Sequence, residues 1–240
     1  MTMLETRGLN KHFGGLQVTD DVNLVLARGE LHCLIGPNGA GKSTFFRLIL
    51  GEYPPSSGQI LFDGADITRL PSHERVRRGM SVKFQVPGVF QALSVQQNLE
   101  IALQHHLEGA SLAAEIDRLL GFLDLVADRA QRAGNLSHGQ KQWLEIGMAV
   151  SLKPSLLLLD EPTAGMSIEE THATGEMIKA LNAEGMTILA VEHDMEFVRQ
   201  VAQRVTVLHL GRIFAQGDID AITADERVAA IYLGQGHAHA

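Results

Sequence analysis

Eight residues, Gly36 to Ser43 within GPNGAGKST, restrict this chain more than any other stretch. They fit G-x-x-x-x-G-K-[ST], follow the apolar run LHCLI and open FFRLILG, which reads as a helix closed by Gly51. Strand, glycine-rich loop and helix start are the context this motif requires. Glycine lets the backbone wrap closely enough to aim N–H groups at phosphate oxygens, and the helix N-terminus adds a favourable field. Residues Gly36, Pro37, Asn38, Gly39, Ala40, Gly41, Lys42, Ser43 and Thr44 are thus expected to bind nucleotide. Lys42 would reach the β- and γ-phosphates, and Ser43 would ligate Mg2+.

A second signal lies in SLLLLDEP, where a run of aliphatics ends on Asp160 and Glu161. Such a run predicts a strand buried on both faces, typical of a mostly parallel sheet covered by helices. Ligands bind beyond the carboxyl ends of such strands. Asp160 is therefore placed to hold Mg2+, and Glu161, on the other side of an extended backbone, to act as general base toward the attacking water. Taken alone, an Asp-Glu pair could merely cap the next helix. LAVEHD repeats the geometry and puts His193 at a strand end, within reach of a γ-phosphate; alone it would read as a structural hydrogen-bonder. Gln85, ending MSVKFQ, could offer an amide oxygen to Mg2+ or water, or be a plain surface amide.

The chain has 240 residues, 45% hydrophobic and 20% charged, which is enough for a proper core and ordinary for a globular protein. A net charge of −8 argues against a broad nucleic-acid footprint. The single cysteine, Cys33, cannot form an internal disulfide and sits in an apolar run, which suits a reducing cytoplasm. The N-terminus has no apolar signal region, and no uncharged run approaches the ~18 residues of a membrane span. Strand texture fills MLETRGL, VNLVL, LHCLI, GQILFDG and MSVKFQ, then returns after SLLLLDEP in MTILAVEH, RVTVLHLG and RIFAQG. Between them SVQQNLEIAL opens with a capping box, and Leu112, Ile116, Leu119, Leu120 and Leu123 share one helical face. The expected organisation is an α/β body, 1–85 and 153–240, with a helical lobe inserted at 86–152. The terminal GHAHA carries two histidines but reads as a frayed end, not a metal site.

At this point the residues resemble an ATP-binding cassette (ABC) ATPase along essentially the whole chain, a single domain over 1–240. Gly36 to Ser43 stand as its Walker A loop, Gln85 as the Q-loop glutamine, and Leu136, Ser137, His138, Gly139 and Gln140 as its signature. Asp160 and Glu161 match the Walker B pair, His193 the switch histidine, and Phe13 the aromatic on which adenine stacks. The resemblance implies a P-loop NTPase fold: a RecA-like mixed sheet core, an antiparallel β subdomain and the inserted helical lobe. It implies ATP and Mg2+ as cofactors, with Ser43, Gln85 and Asp160 around the metal. It also implies a head-to-tail dimer, with itself or with a second ABC ATPase, in which one subunit's signature helix closes over the nucleotide on the other's Walker A loop. Ser137 is expected as N-cap with Gln140 three residues on, leaving first-turn N–H groups for a γ-phosphate across the interface. Two departures stand out. His138 occupies a place where the family commonly has glycine and is expected to project to solvent. Ser167 stands where many relatives have aspartate and is assigned no catalytic role.

LSHGQKQWLEIGM, EPTAGM, VEHDMEFVR, VTVLHLG and IYLG resemble ATP-binding subunits of the hydrophobic amino acid uptake family, closest to the urea or short-amide type and then to the branched-chain amino acid type. A lipid or lipopolysaccharide exporter subunit and a soluble, non-transport ABC protein are the alternatives. The resemblance implies an ATPase on the cytoplasmic face of the inner membrane, peripheral, docked under two membrane permease subunits and served indirectly by a periplasmic solute-binding protein, with no nucleic acid. Val86, Val89, Phe90 and Leu93, just past Gln85, are candidate groove residues for a permease helix, or internal packing.

Overall fold

The computed structural model describes residues 1–84 and 88–233. Gln85, Val86 and the GHAHA tail lie outside them. The N-terminal part is antiparallel: β1 (Thr2–Phe13) pairs with β2 (Leu16–Val22), with β3 (Val25–Ala27) and with β5 (Ser57–Phe62), which also carries β6 (Ala65–Asp66). VNLVL is not one strand. Asp21 takes a left-handed φ of 53°, and Asn23 turns its amide oxygen onto Gly8 N at 2.7 Å, so the chain breaks between β2 and β3. LQVTDDV, which forms β2, is too polar to show strand alternation in the sequence.

The main sheet has the order β11-β10-β4-β9-β8-β7, where β4 is Leu31–Ile35, β7 Met80–Lys83, β8 Leu156–Asp160, β9 Thr187–Val191, β10 Arg204–His209 and β11 Arg212–Gly217. All neighbours run parallel except β10 and β11. Leu34 lies opposite Val191, Val191 opposite Asp160, and Lys83 opposite Leu159, so the carboxyl ends of β4, β9, β8 and β7 form one row. This row positions the chemistry.

Alternate residues of each central strand face opposite cores. Leu34, Leu156, Leu158, Leu189 and Val191 pack with α1 (Lys42–Leu50) and the antiparallel strands. Cys33, Ile35, Leu157, Leu159, Ile188 and Ala190 pack on the other side against α3 (Val95–Leu103), α4 (Gly109–Phe122), α5 (His138–Val150), α6 (Ile168–Ala183) and α7 (Met195–Val201). Each such leucine contributes about 1.5–3 kcal/mol on leaving water. Within α4, Ile116, Leu119 and Leu120 are buried as the periodicity predicts, Leu123 caps it, and Leu112 is partly covered. The remaining helices are α2 (Ser72–Arg77), α8 (Ile219–Ala224) and α9 (Glu226–Leu233). No helix among the described residues is long and apolar enough to cross a membrane.

Candidate functional site

The loop after β4 is built from backbone. Gly41 caps α1 in a left-handed conformation, φ 99°, and a Cβ there would lie 2.5 Å from Val18 O; at Gly36 a Cβ would overlap the Leu208 carbonyl. Gly41 has no side chain to offer and no other side chain among the described residues caps α1, so its first N–H groups stay available. Lys42 is buried and donates to Gly36 O at 2.6 Å and Pro37 O at 3.2 Å. Burial lowers its pKa, while the charges of Glu161 and Asp160 hold it up. Ser43 is exposed at the start of the helix.

Residues 38–44 and Val18 share one cleft of about 200 Å3 with Glu161, more than a hundred positions away in the chain. Asp160, half-buried at the end of β8, has its carboxyl pushed up by burial and by Glu161; Lys83, Arg47 and Lys42 act the other way. Glu161 is not extended, as the sequence suggests, but left-handed at φ 46°, its N–H donating to Val191 O at 2.9 Å. That bond to the next strand turns it toward the loop cleft and toward His193, whose Nδ1 is 3.8 Å from Glu161 Oε1. Beneath them Glu192, fully buried, accepts from Thr163 N at 3.1 Å, Thr163 Oγ1 at 2.7 Å and His193 N at 3.1 Å, fastening the segments after β8 and β9 together. The sequence motifs pass over Glu192; its signal is a carboxylate directly after the apolar run Ile188 to Val191.

Phe13 ends β1 and is 43% exposed, open enough for a stacking role; Tyr53 meets its ring edge-on at 5.3 Å and Lys11 Nζ lies 4.9 Å from its centre. Ser137 caps α5 in a full capping box: its Oγ accepts from Gln140 N at 3.1 Å, and Gln140 Oε1 accepts from Ser137 N at 3.0 Å. Leu136 is buried as its anchor. None of residues 136–140 lines the cleft holding the 38–44 loop. His138 is exposed, yet it does not simply project to solvent: its Nε2 meets Ala164 O at 2.9 Å, binding the start of α5 to the segment after Glu161. Glu170 crosses the same gap from α6, accepting from Ser137 Oγ at 3.3 Å and packing against the buried Gly139. Ser167 caps α6 in a third capping box. Val89 is partly buried against the core and Phe90 is 49% exposed.

The family model described as ABC transporter matches residues 19–164. The high-affinity branched-chain amino acid transport ATP-binding protein BraF of Pseudomonas aeruginosa is 34% identical, over 97% of this chain and 98% of BraF. The ADP conformation of MJ1267, an ATP-binding cassette of an ABC transporter, superposes with a TM-score of 0.88 at 30% identity, covering 98% of this chain and 99% of that one. MJ0796, a dimeric ATP-binding cassette in a post-hydrolysis state with ADP and Pi, gives 0.80 at 25% identity, covering 90% and 99%. With a cassette fold and a matching family model across the loop and the carboxylates, this chain belongs to the ABC transporter family, as an ATPase subunit that hydrolyses ATP to drive transport.

Proposed function

We propose that nucleotide bound at residues 36–44 is hydrolysed with Glu161 as general base. The observation that carries this reading is the single cleft that unites the phosphate loop with Glu161, His193 standing 3.8 Å away. Lys42 swings from the loop carbonyls to the β- and γ-phosphates, Phe13 stacks on adenine, and His193 contacts the γ-phosphate. Glu161 accepts a proton from the attacking water. Ser43 and Asp160 supply oxygen donors, with Gln85 as a third, and such an all-oxygen set suits Mg2+ completed by phosphate oxygens. Bound there, the metal would neutralise charge on the phosphates. Glu161→Gln should bind ATP and lose about a hundred-fold or more in turnover; near-normal turnover would remove Glu161 from the role.

A cleft of about 200 Å3 is small beside ordinary ligand pockets, about 300–1,000 Å3. A second surface is needed to enclose the nucleotide, and the first turn of α5 in a partner cassette, residues 136–140, supplies it. ATP binding closes this dimer and hydrolysis reopens it, through the different affinity of nucleotide for the two states. The helical segment 86–152 and the α/β body, 1–85 with 153–240, act as the parts that move, docked at the cytoplasmic membrane face under two permeases, with Val89 and Phe90 toward a permease helix.

The transported solute is small and polar and enters the cell. Likeness to BraF supports branched-chain amino acids; LSHGQKQWLEIGM and VEHDMEFVR support urea or short amides. Copurification with the neighbouring permeases, followed by ATPase assays with urea, acetamide and leucine in the presence of the binding protein, separates them. Stimulation by leucine alone removes the amide reading, and stimulation by none of them, with lipid stimulation instead, points to export.

A further inference from the structure

Lys83 ends β7 and is fully buried, directly behind the carboxylates of the site. Its Nζ lies 3.4 Å from Asp160 O and 3.3 Å from Glu161 O. These are the two backbone carbonyls that flank the turn into the left-handed φ of Glu161, a conformation a residue with a side chain holds only when its surroundings impose it. On the N–H side, Glu161 is tied to Val191 O. Lys83 therefore supplies the other half of the grip. Burial lowers the pKa of its ammonium, and the charges of Glu145, Asp160, Glu192 and Glu161 act the other way. Glu145 comes from α5, two turns after His138; it is buried, and the backbone N–H groups of Gly88, at 3.0 Å from Oε1, and of Phe84 act on its carboxylate. Burial pushes its carboxyl above the ordinary value, while those hydrogen bonds and the charge of Lys83 act the other way.

We infer that Lys83 is a positioning residue for hydrolysis: it holds the backbone of Glu161 in the left-handed conformation that aims the carboxylate at the nucleotide cleft. Nothing in this requires Lys83 to touch nucleotide. Its loss should therefore spare binding and slow the chemical step. The inference rests on Glu161 being the base, and the two ideas fail differently.

The test uses the full chain with Mg2+-ATP, measuring kcat, KM and thermal midpoint for Lys83→Met, for Lys83→Met combined with Glu145→Met, and for Glu161→Gln. Lys83→Met alone strands the Glu145 carboxylate and should melt early. The double variant removes both charges and should recover most of that loss. In whichever of the two folds, kcat is expected to fall about ten- to a hundred-fold, as a misplaced catalytic group does, with KM within about two-fold. A wild-type kcat in a folded double variant would show that Lys83 only neutralises Glu145, and a loss confined to KM would place it in nucleotide binding; either overturns the inference. Should both Met variants fail to fold, Lys83→Gln replaces them: neutral and shorter, it cannot span both carbonyls, and an unchanged kcat in it overturns the inference as well. If Glu161→Gln itself turns over ATP, the base assignment is what fails.

Discussion

Arg75 places its guanidinium among carbonyls. Fully buried, it donates to Leu48 O at 2.8 Å, Ile49 O at 2.7 Å, Leu70 O at 2.9 Å and Thr68 O at 3.1 Å. Two of these belong to the last turn of α1; Leu48 O also accepts from Gly51 N at 3.1 Å, so the C-cap and a side chain of α2 together complete the helix that begins at the phosphate loop. Burial pulls its pKa down to about 10, Asp66 partly offsetting this, and it stays charged at neutral pH. Arg75→Met should cost about 2–4 kcal/mol in urea unfolding, and Arg75→Lys should restore less than half, because one ammonium cannot serve four carbonyls. Asp160 shows the reverse case, a residue the resting fold would be better without. The folded chain holds its carboxyl above the ordinary value, mainly through burial and then through Glu161. Ionising it therefore costs stability: the penalty is absent below the ordinary carboxylate value and grows as pH rises through the elevated one. At neutral pH Asp160→Asn should raise the melting temperature of the nucleotide-free chain, with the gain vanishing in acid. A gain that persists in acid would assign the effect to packing instead.

Three helices open with the same device. Ser94 with Gln97, Ser137 with Gln140 and Ser167 with Glu170 all form complete capping boxes, and the first two are plain in the sequence because a polar S-x-x-Q precedes an apolar run. What the sequence does not carry is that Glu170 serves two helices. One oxygen accepts from Ser167 N at 3.0 Å, the other from Ser137 Oγ at 3.3 Å, and the carboxylate lies so close to Gly139 that a Cβ there would overlap it. Gly139 thus looks like a flexible spot in the signature and is a packing requirement. Glu170→Ala alone should cost about 1 kcal/mol as a lost cap. Gly139→Ala alone should also destabilise, by driving the carboxylate out; with Glu170→Ala present it should be harmless, giving a coupling of about 1 kcal/mol in a double-mutant cycle by urea unfolding. Strict additivity would mean the carboxylate moves aside freely. Strands divide the same way: SLLLLDEP and MTILAVEH declare themselves by unbroken aliphatics, whereas β2, polar at Gln17, Thr19, Asp20 and Asp21, exists only because β1 offers it a partner.

At the scale of the whole molecule, chain order and space disagree. The motifs run in the order β4, β7, β8, β9 along the chain but β4, β9, β8, β7 across the sheet, so His193 stands beside Glu161 for a reason no local pattern contains. The same non-local packing puts Lys83 behind the site and keeps 136–140 out of the cleft that holds 38–44. A motif names a residue's chemistry; only the sheet order says what faces it. Residues 136–140 therefore stand apart from the cleft that holds 38–44, and the proposed head-to-tail pairing makes a definite demand. Ser137→Arg should abolish the site that a subunit lends, and Lys42→Ala the site that it owns, so either variant alone should be inactive. Mixed, they form heterodimers in which the intact loop of the first meets the intact signature of the second. ATPase activity should then reappear, greatest near equal amounts and about a quarter of the wild-type rate if pairing is random and the sites independent, since half the dimers are mixed and each has one whole site. A mixture as inactive as its components would mean that Ser137 and Lys42 serve the same site within one chain.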